Sequence, residues 1–236
     1  METANSRSAA VDLRSPEYAR LHEFNYLPSL YVHPAHAASL LPAAWSARLN
    51  DGPVPPAVHS HLSAYLLAKL GIEDAWVSDD RSLAIWIALL PREHLDPLMR
   101  RAGLLLASAP IHQCVRQQDV KRLEAGLSPQ DLAYVFQQAE SRFPGSRALT
   151  AALYESPLET VMALGLRALQ QVTGGLGRAV RIRFDLKLNP THTLPEWLEF
   201  EAAWPHDVVA SAFMRLKDEQ ESTWALSNSK TSMPRT

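Results

Sequence analysis

The chain alternates segments that carry apolar residues at helical spacing with short polar or proline-rich breaks. Three of these segments begin with a Ser-Pro pair followed closely by an acid, at Ser15, Ser128 and Ser156. Serine accepts hydrogen bonds from first-turn amides, proline needs no donor there, and the acid stabilises the positive end of the helix dipole. We therefore predict helices that begin at these three points, each capped by its serine.

Apolar stripes extend these predictions. Val58, Leu62, Tyr65, Leu66 and Leu70 share one helical face before Gly71, a predicted C-cap. A second stripe consists of Leu132, Val135, Phe136 and Ala139. The segment after Ser156 carries charges only at Glu159 and Arg167 before Gly174, so its apolar surface extends around most of the helix. We expect that segment to be a central helix.

The stretch MRRAGLLLASAPIHQCVR, residues 99–116, belongs to another apolar helix, with Asp96 and Arg100 spaced for an ion pair. Gly103 and Ala107 lie one turn apart and leave a groove in which a second backbone can approach closely. Residues 108–110 are predicted to interrupt this helix. A second helix follows, and we expect it to bury Ile111, Val115, Val120 and Leu123.

The periodicity changes at residues 178–188, where Val180, Ile182, Phe184, Leu186 and Leu188 alternate with charged residues. A two-residue period is typical of a strand with one buried face and one solvent-exposed face. Residues 196–200 alternate more weakly and could pair with it as a hairpin. If they do not, the strand edge is free to accept a strand from another protein. A last helix is expected over 205–217.

The sequence therefore predicts a mainly α, single multi-helix globular domain with a small C-terminal β-hairpin. This domain covers residues 15–218, with a loop at 49–57 where prolines and a glycine prevent regular structure. Residues 1–14 and 219–236 are polar and lack periodic apolar positions, so disordered tails are expected at both ends.

Composition limits the function classes. Apolar residues make up 47% of the 236 residues, and the net charge of -2 argues against a protein that binds nucleic acid by bulk neutralisation of phosphates. The lone Cys114 excludes an internal disulfide and fits a reducing compartment such as the cytoplasm. The longest apolar run, residues 83–90, is too short to cross a bilayer, so no direct membrane insertion is expected.

Candidate chemistry is sparse. The pairs His59/His61 and His112/Cys114 are each two residues apart in predicted helix, so their side chains diverge and cannot share an ion or form a nucleophile and its base. His33 precedes a proline and is expected in a loop. The glycines at 174–177 follow a helix instead of preceding one, which is the wrong polarity for binding phosphate. No metal, cofactor or enzymatic activity is predicted.

Several motifs together resemble one family. These are Arg101-Ala102-Gly103-Leu104 followed by Ile111 and Cys114-Val115-Arg116, the early Phe24-Asn25-Tyr26-Leu27-Pro28 with Leu40-Leu41-Pro42, and RIRFDLKL followed by Pro195-Glu196-Trp197-Leu198. Over residues 18–217 the chain resembles the SctK (YscK/PscK-like) adaptors of the type III secretion sorting platform. It departs from the family at His112-Gln113, where a more basic pair is expected.

The resemblance implies a mostly helical, non-enzymatic adaptor at the cytoplasmic face of the inner membrane. Its implied partners are the cytoplasmic domain of an SctD-like inner-membrane ring protein and an SctQ-like pod protein. The alternatives are a small metal- or thiol-dependent enzyme or sensor, and a secretion chaperone. Candidate partner-binding residues, chosen because Arg, Tyr and Trp dominate interface energetics, are Arg100, Arg101, Arg181, Arg183, Tyr31 and Trp45.

Overall fold

A computed structural model of the chain describes residues 16–77, 82–137, 147–190 and 206–218, and these residues form helices joined by short turns. The helices are α1 Pro16–Tyr26, α2 Pro34–Leu40, α3 Ala43–Asn50, α4 Pro56–Leu70, α5 Leu83–Leu89, α6 Arg92–Leu106, α7 Ser108–His112, α8 Gln117–Gly126, α9 Pro129–Phe136, α10 Arg147–Glu155, α11 Pro157–Thr173, α12 Arg178–Asp185 and α13 206–218. The mainly α prediction is confirmed.

The centre of the fold is the pair α6 and α11, which pack along each other more extensively than any other two helices. Leu98 and Leu106 of α6, and Leu164 and Leu169 of α11, are fully buried between them and the surrounding helices. Helices α5, α8 and α10 pack against α11, while α9 packs against α6. The predicted central helix after Ser156 is therefore confirmed.

The N-terminal helices form a second layer. A 3-10 turn at Pro28–Leu30 packs on α4, and α1 also contacts α4 and α5. The side chain of Ser29 bonds to Ser63 Oγ at 2.8 Å and donates to the carbonyl of His59 at 3.0 Å, which fixes the turn on α4. The loop predicted at 49–57 is present but shorter, since α3 ends at Asn50 and α4 begins at Pro56.

Two of the three Ser-Pro helix starts can be compared with the prediction in full. Ser128 forms a capping box with Asp131, as expected. Helix α11 begins at Pro157, but the Ser156 side chain makes no capping hydrogen bond, so that part of the prediction is wrong. Helix α1 begins at Pro16, and Ser15 lies outside the described residues.

The predicted strand at 178–188 is wrong. Residues Arg178–Asp185 form α12, which packs on α5, and none of the residues that the structure describes forms a strand. The buried positions of this segment include Arg183, Phe184 and Lys187, which follow a helical spacing instead of the apolar alternation. Residues 196–200 and both predicted tails lie outside the described residues, whereas the final predicted helix is present as α13.

Candidate functional site

Among the residues that the structure describes, the histidines and the cysteine do not assemble a reactive site. His59 Nδ1 lies 2.9 Å from Ser29 Oγ, while His61 is exposed on the opposite side of α4. His33 Nδ1 accepts from the amide of Ala35 and so caps α2. Among the described residues no three His, Cys, Asp or Glu side chains are grouped as metal ligands. His33 and His59 are half-buried and serve local structure, because each ring bonds to a neighbouring group.

Two buried cations, one on α12 and one in the turn that follows it, connect this part of the chain to the N-terminal layer and to α5. Arg183 is 1% exposed; its Nη2 donates to the carbonyl of Ile72 at 2.8 Å and its Nε to that of Asn25 at 3.3 Å. Those carbonyls belong to the C-terminal end of α1 and to the turn that follows α4. Arg183 thus supplies hydrogen bonds and positive charge where helix ends carry unpaired, partly negative carbonyl groups.

Lys187 does the same for α5. It is 4% exposed, and its Nζ donates to the carbonyls of Ala88 and Leu90 at 2.6 and 2.8 Å. The ammonium also lies 4.8 Å from the ring centroid of Phe24 and 4.9 Å from that of Tyr31. Arg183 also donates to the carbonyl of Ala179 within its own helix at 3.3 Å. We call Arg183, Lys187 and the four carbonyls that they reach outside α12, those of Asn25, Ile72, Ala88 and Leu90, the cation joint. It stabilises the contact between the N-terminal layer and α12 through carbonyl and ring contacts.

Burial lowers the pKa of Lys187 to about 7, and the distant carboxylates Glu93 and Glu23 oppose the shift. Because the pKa is lower in the folded than in the unfolded chain, the unfolded state binds more protons above pH 7 and stability rises with pH there. Between pH 7 and pH 9 we expect the free energy of unfolding of wild type to rise by about 2 kcal/mol more than that of Lys187→Met. Urea denaturation of both proteins at the two pH values measures this gain, and parallel pH profiles would contradict it.

The candidate interface residues divide into two groups. Tyr31 and Arg183 lie in the core, where the Tyr31 hydroxyl donates to the carbonyl of Phe24 at 2.7 Å, so neither side chain is accessible to a partner in this fold. Trp45 and Arg181 are exposed, and Arg101 is half-buried. They lie on three different helices, Trp45 on α3, Arg101 on α6 and Arg181 on α12.

Arg100 has a partner within the chain. Its guanidinium pairs with Asp131 of α9 instead of the predicted Asp96, and Ser128 also donates to the same carboxylate. Burial alone would raise the pKa of Asp131, but the hydrogen bonds from Arg100 and Ser128 outweigh it and lower the pKa. Arg100 therefore connects α6 to the capping box of α9, which leaves less of its charge available to another protein.

A surface cleft between α8 and α10 has the composition expected of a binding site. Its volume is about 710 Å³, and it is lined by Arg116, Asp119, Arg122, Arg147, Thr150, Ala151, Tyr154 and Glu155. The α10 residues at 147, 150, 151, 154 and 155 fall on one helical face, while Leu149 and Leu153 on the opposite face are buried. We call this feature the arginine cleft.

An exposed apolar residue adjoins the arginine cleft along the chain. Val115 directly precedes Arg116 and is 87% exposed in the connection between α7 and α8. The prediction that Val115 is buried on a helix stripe is therefore wrong, because α8 begins only at Gln117. The cleft is not visible in the sequence, because its two walls are separated along the chain.

A protein-family model described as YOP proteins translocation protein K (YscK) matches residues 18–205. No curated protein and no solved structure matches the chain. The matched range includes both walls of the arginine cleft and both residues that supply the cations of the joint. Within the parts of the chain described by the structure, no helix is long and apolar enough to span a bilayer.

Proposed function

The chain belongs to the YscK family of type III secretion proteins, and we propose that it is a non-enzymatic adaptor of a bacterial type III secretion system. In this role it joins the cytoplasmic domain of an SctD-like inner-membrane ring protein to an SctQ-like pod protein of the sorting platform. The adaptor would act in the cytoplasm, held at the inner membrane by its partners and without cofactor or metal.

The observation that carries this proposal is the family match over most of the chain. The geometry supports it in two ways. The described histidines and Cys114 form no group of three possible metal ligands, so they give no support to a metal-dependent enzyme or sensor built on them. The arginine cleft, by contrast, combines arginine, tyrosine and an adjacent exposed apolar residue, a composition typical of protein interfaces.

The proposal also leaves several surface candidates in place. Trp45, Arg101 and Arg181 stay predicted partner-binding residues. They lie on α3, α6 and α12, outside the two helices that form the walls of the arginine cleft, and would serve a second interface if the cleft serves the first. An adaptor between two proteins needs two such surfaces.

Deletion of the gene in the source bacterium tests the function directly. We expect loss of type III secretion and absence of assembled pods, both restored by a plasmid copy, because the bridge between ring and pod would be missing. Secretion is measured from culture supernatants and pod assembly by fluorescence of tagged pod protein. Normal secretion with assembled pods would contradict the adaptor role, and a stable complex with one exported substrate would favour a chaperone instead.

A further inference from the structure

We propose that the arginine cleft binds an acidic segment of a partner protein. This inference rests on the proposed adaptor function and adds to it the surface on this chain and the chemistry of what it contacts. The cleft lies between α8 and α10, helices that contact each other and both pack on α11. Its walls are therefore held by the central packing of the fold.

The charge of the cleft is the first argument. Three arginines line it against two carboxylates, whereas the whole chain has a net charge of -2. Asp119 already faces Arg122, with 3.9 Å between their nearest charged atoms. Over the described residues, no carboxylate lies within ion-pair distance of Arg116 or Arg147. The two arginines thus present guanidinium groups that can each bind a carboxylate through two hydrogen bonds.

The first turn of α8 adds to this positive charge. Arg116 is its N-cap residue and Asp119 its third helical residue, and both line the cleft. No side chain caps this end of the helix. The first amides of a helix have no partner within the helix and carry the positive end of its dipole. A carboxylate bound beside Arg116 would therefore also be stabilised by the end of α8.

The cleft also offers apolar contact. Ala151 and the ring of Tyr154 form part of its lining, and the Tyr154 hydroxyl is held by donating to the carbonyl of Pro110 at 3.2 Å. Val115 beside Arg116 is almost fully exposed. Interfaces commonly combine a tyrosine or arginine anchor with neighbouring apolar area. The fitting ligand is thus a segment with acidic residues and at least one apolar side chain.

The two carboxylates of the cleft favour a peptide over a compact polyanion. Asp119 and Glu155 would repel a phosphate group that must hold several negative charges within a few ångströms. An extended peptide spaces its side chains by about 3.3 Å per residue. Its carboxylates can therefore meet Arg116 and Arg147 separately, and a backbone amide can donate to Glu155.

The test compares the full-length chain with a charge-reversal variant, Arg116→Glu/Arg147→Glu. The matched control is Arg20→Glu/Arg215→Glu, which changes two exposed arginines on α1 and α13, away from every candidate partner-binding residue in sequence, and gives the same net charge. Each protein is titrated by calorimetry with the purified cytoplasmic domain of the ring protein and, separately, with the purified pod protein. Circular dichroism and thermal melting establish that each variant is folded. The neutral variant Arg116→Gln/Arg147→Gln serves as a second test.

We expect the cleft variant to bind one of the two partners at least about tenfold more weakly, with the other partner unaffected. The control should stay within about twofold of wild type, and the neutral variant should fall between the two. Wild-type binding to the affected partner should weaken as salt is raised, because partly exposed charge pairs are screened.

Each other outcome overturns the inference in an identifiable way. If wild type binds a partner and the cleft variant binds both partners as the control does, the adaptor role stands and the arginine cleft is not its interface. If wild type binds neither partner, the adaptor proposal fails and this inference with it. Inorganic phosphate that binds wild type but not the cleft variant, without any partner effect, would indicate a small-anion site. Self-association that the cleft variant abolishes would indicate a second copy of the chain.

Discussion

Gly103→Ala and Gly165→Ala are each expected to destabilise the protein by about 3 kcal/mol or more, a large part of the total stability of a typical domain. A Cβ on Gly103 would lie 1.8 Å from the carbonyl oxygen of Val161, and a Cβ on Gly165 would lie 1.8 Å from that of Met99. Neither distance is compatible with a real contact, so α6 and α11 would have to separate.

The two contacts are reciprocal, which explains why the fold cannot absorb either methyl group. Met99 and Gly103 lie one turn apart on α6, and Val161 and Gly165 lie one turn apart on α11. Each glycine therefore receives the backbone of the facing helix. All four residues are buried, and moving either helix would open gaps among the fully buried leucines on both sides.

Chemical denaturation measures the free energy of unfolding of both variants. Gly175→Ala is the matched control, because a Cβ there meets no atom within 4 Å and the backbone does not require glycine. We expect the control to change stability by less than about 0.5 kcal/mol. Destabilisation of Gly103→Ala or Gly165→Ala by less than about 1 kcal/mol would mean that the two helices can move apart at little cost.

The sequence allows this central pair to be predicted in part. The apolar stripe of α6, the nearly all-round apolar surface of α11 and the small-residue groove at Gly103 are local patterns, and each corresponds to what the structure shows. The identity of the facing helix was not predictable from Gly103 alone. Gly165 was the missing signal, because a second glycine in the other strongly apolar helix is what allows mutual close approach.

Helix α12 was mispredicted for a physical reason. Apolar alternation at Val180, Ile182 and Phe184 indicates a strand only if the charged side chains between them are exposed to solvent. Arg183 and Lys187 are instead buried because helix C-termini supply them with carbonyl acceptors. The buried positions then follow i, i+3 and i+4 spacing, and Arg181 on the other face is exposed. A hydropathy pattern does not reveal such acceptors, since they come from distant segments.

The arginine cleft was not predictable for a related reason. Arg116 and Arg147 are far apart in sequence and meet only because α8 and α10 pack side by side on α11. Val115, next to Arg116, is the one local position where the sequence prediction and the structure differ. It falls on a helical stripe only if the helix continues through it. The chain instead leaves α7 after His112 and starts α8 at Gln117, so Val115 lies in the exposed connection. Candidate residues chosen by type alone therefore included the buried Arg183 and omitted the exposed Arg116.

Arg183→Leu is expected to destabilise the protein by about 3 kcal/mol, because the carbonyl of Asn25 loses the guanidinium donor and that of Ile72 keeps only the long hydrogen bond from the amide of Ala75 at 3.5 Å. Leucine also lacks the positive charge that opposes the negative ends of the helices. Relief of the desolvation that lowers the pKa of Arg183 offsets part of this loss. The effect should spread to the N-terminal layer, since Arg183 contacts both α1 and the turn after α4.

Urea denaturation measures the global loss, and amide hydrogen exchange shows where it is located. Protection should fall in α1 and at the end of α4 while the amides of α6 and α11 keep theirs, because the cation joint is not part of the central pair. Arg181→Leu is the control, since it removes an exposed arginine from the same helix and should change stability by less than about 0.5 kcal/mol. Equal stability of Arg183→Leu and Arg181→Leu would mean that the carbonyls find other donors and that the joint contributes nothing. Loss of protection spread evenly over all helices would instead make Arg183 part of one cooperative core, with no separable N-terminal layer.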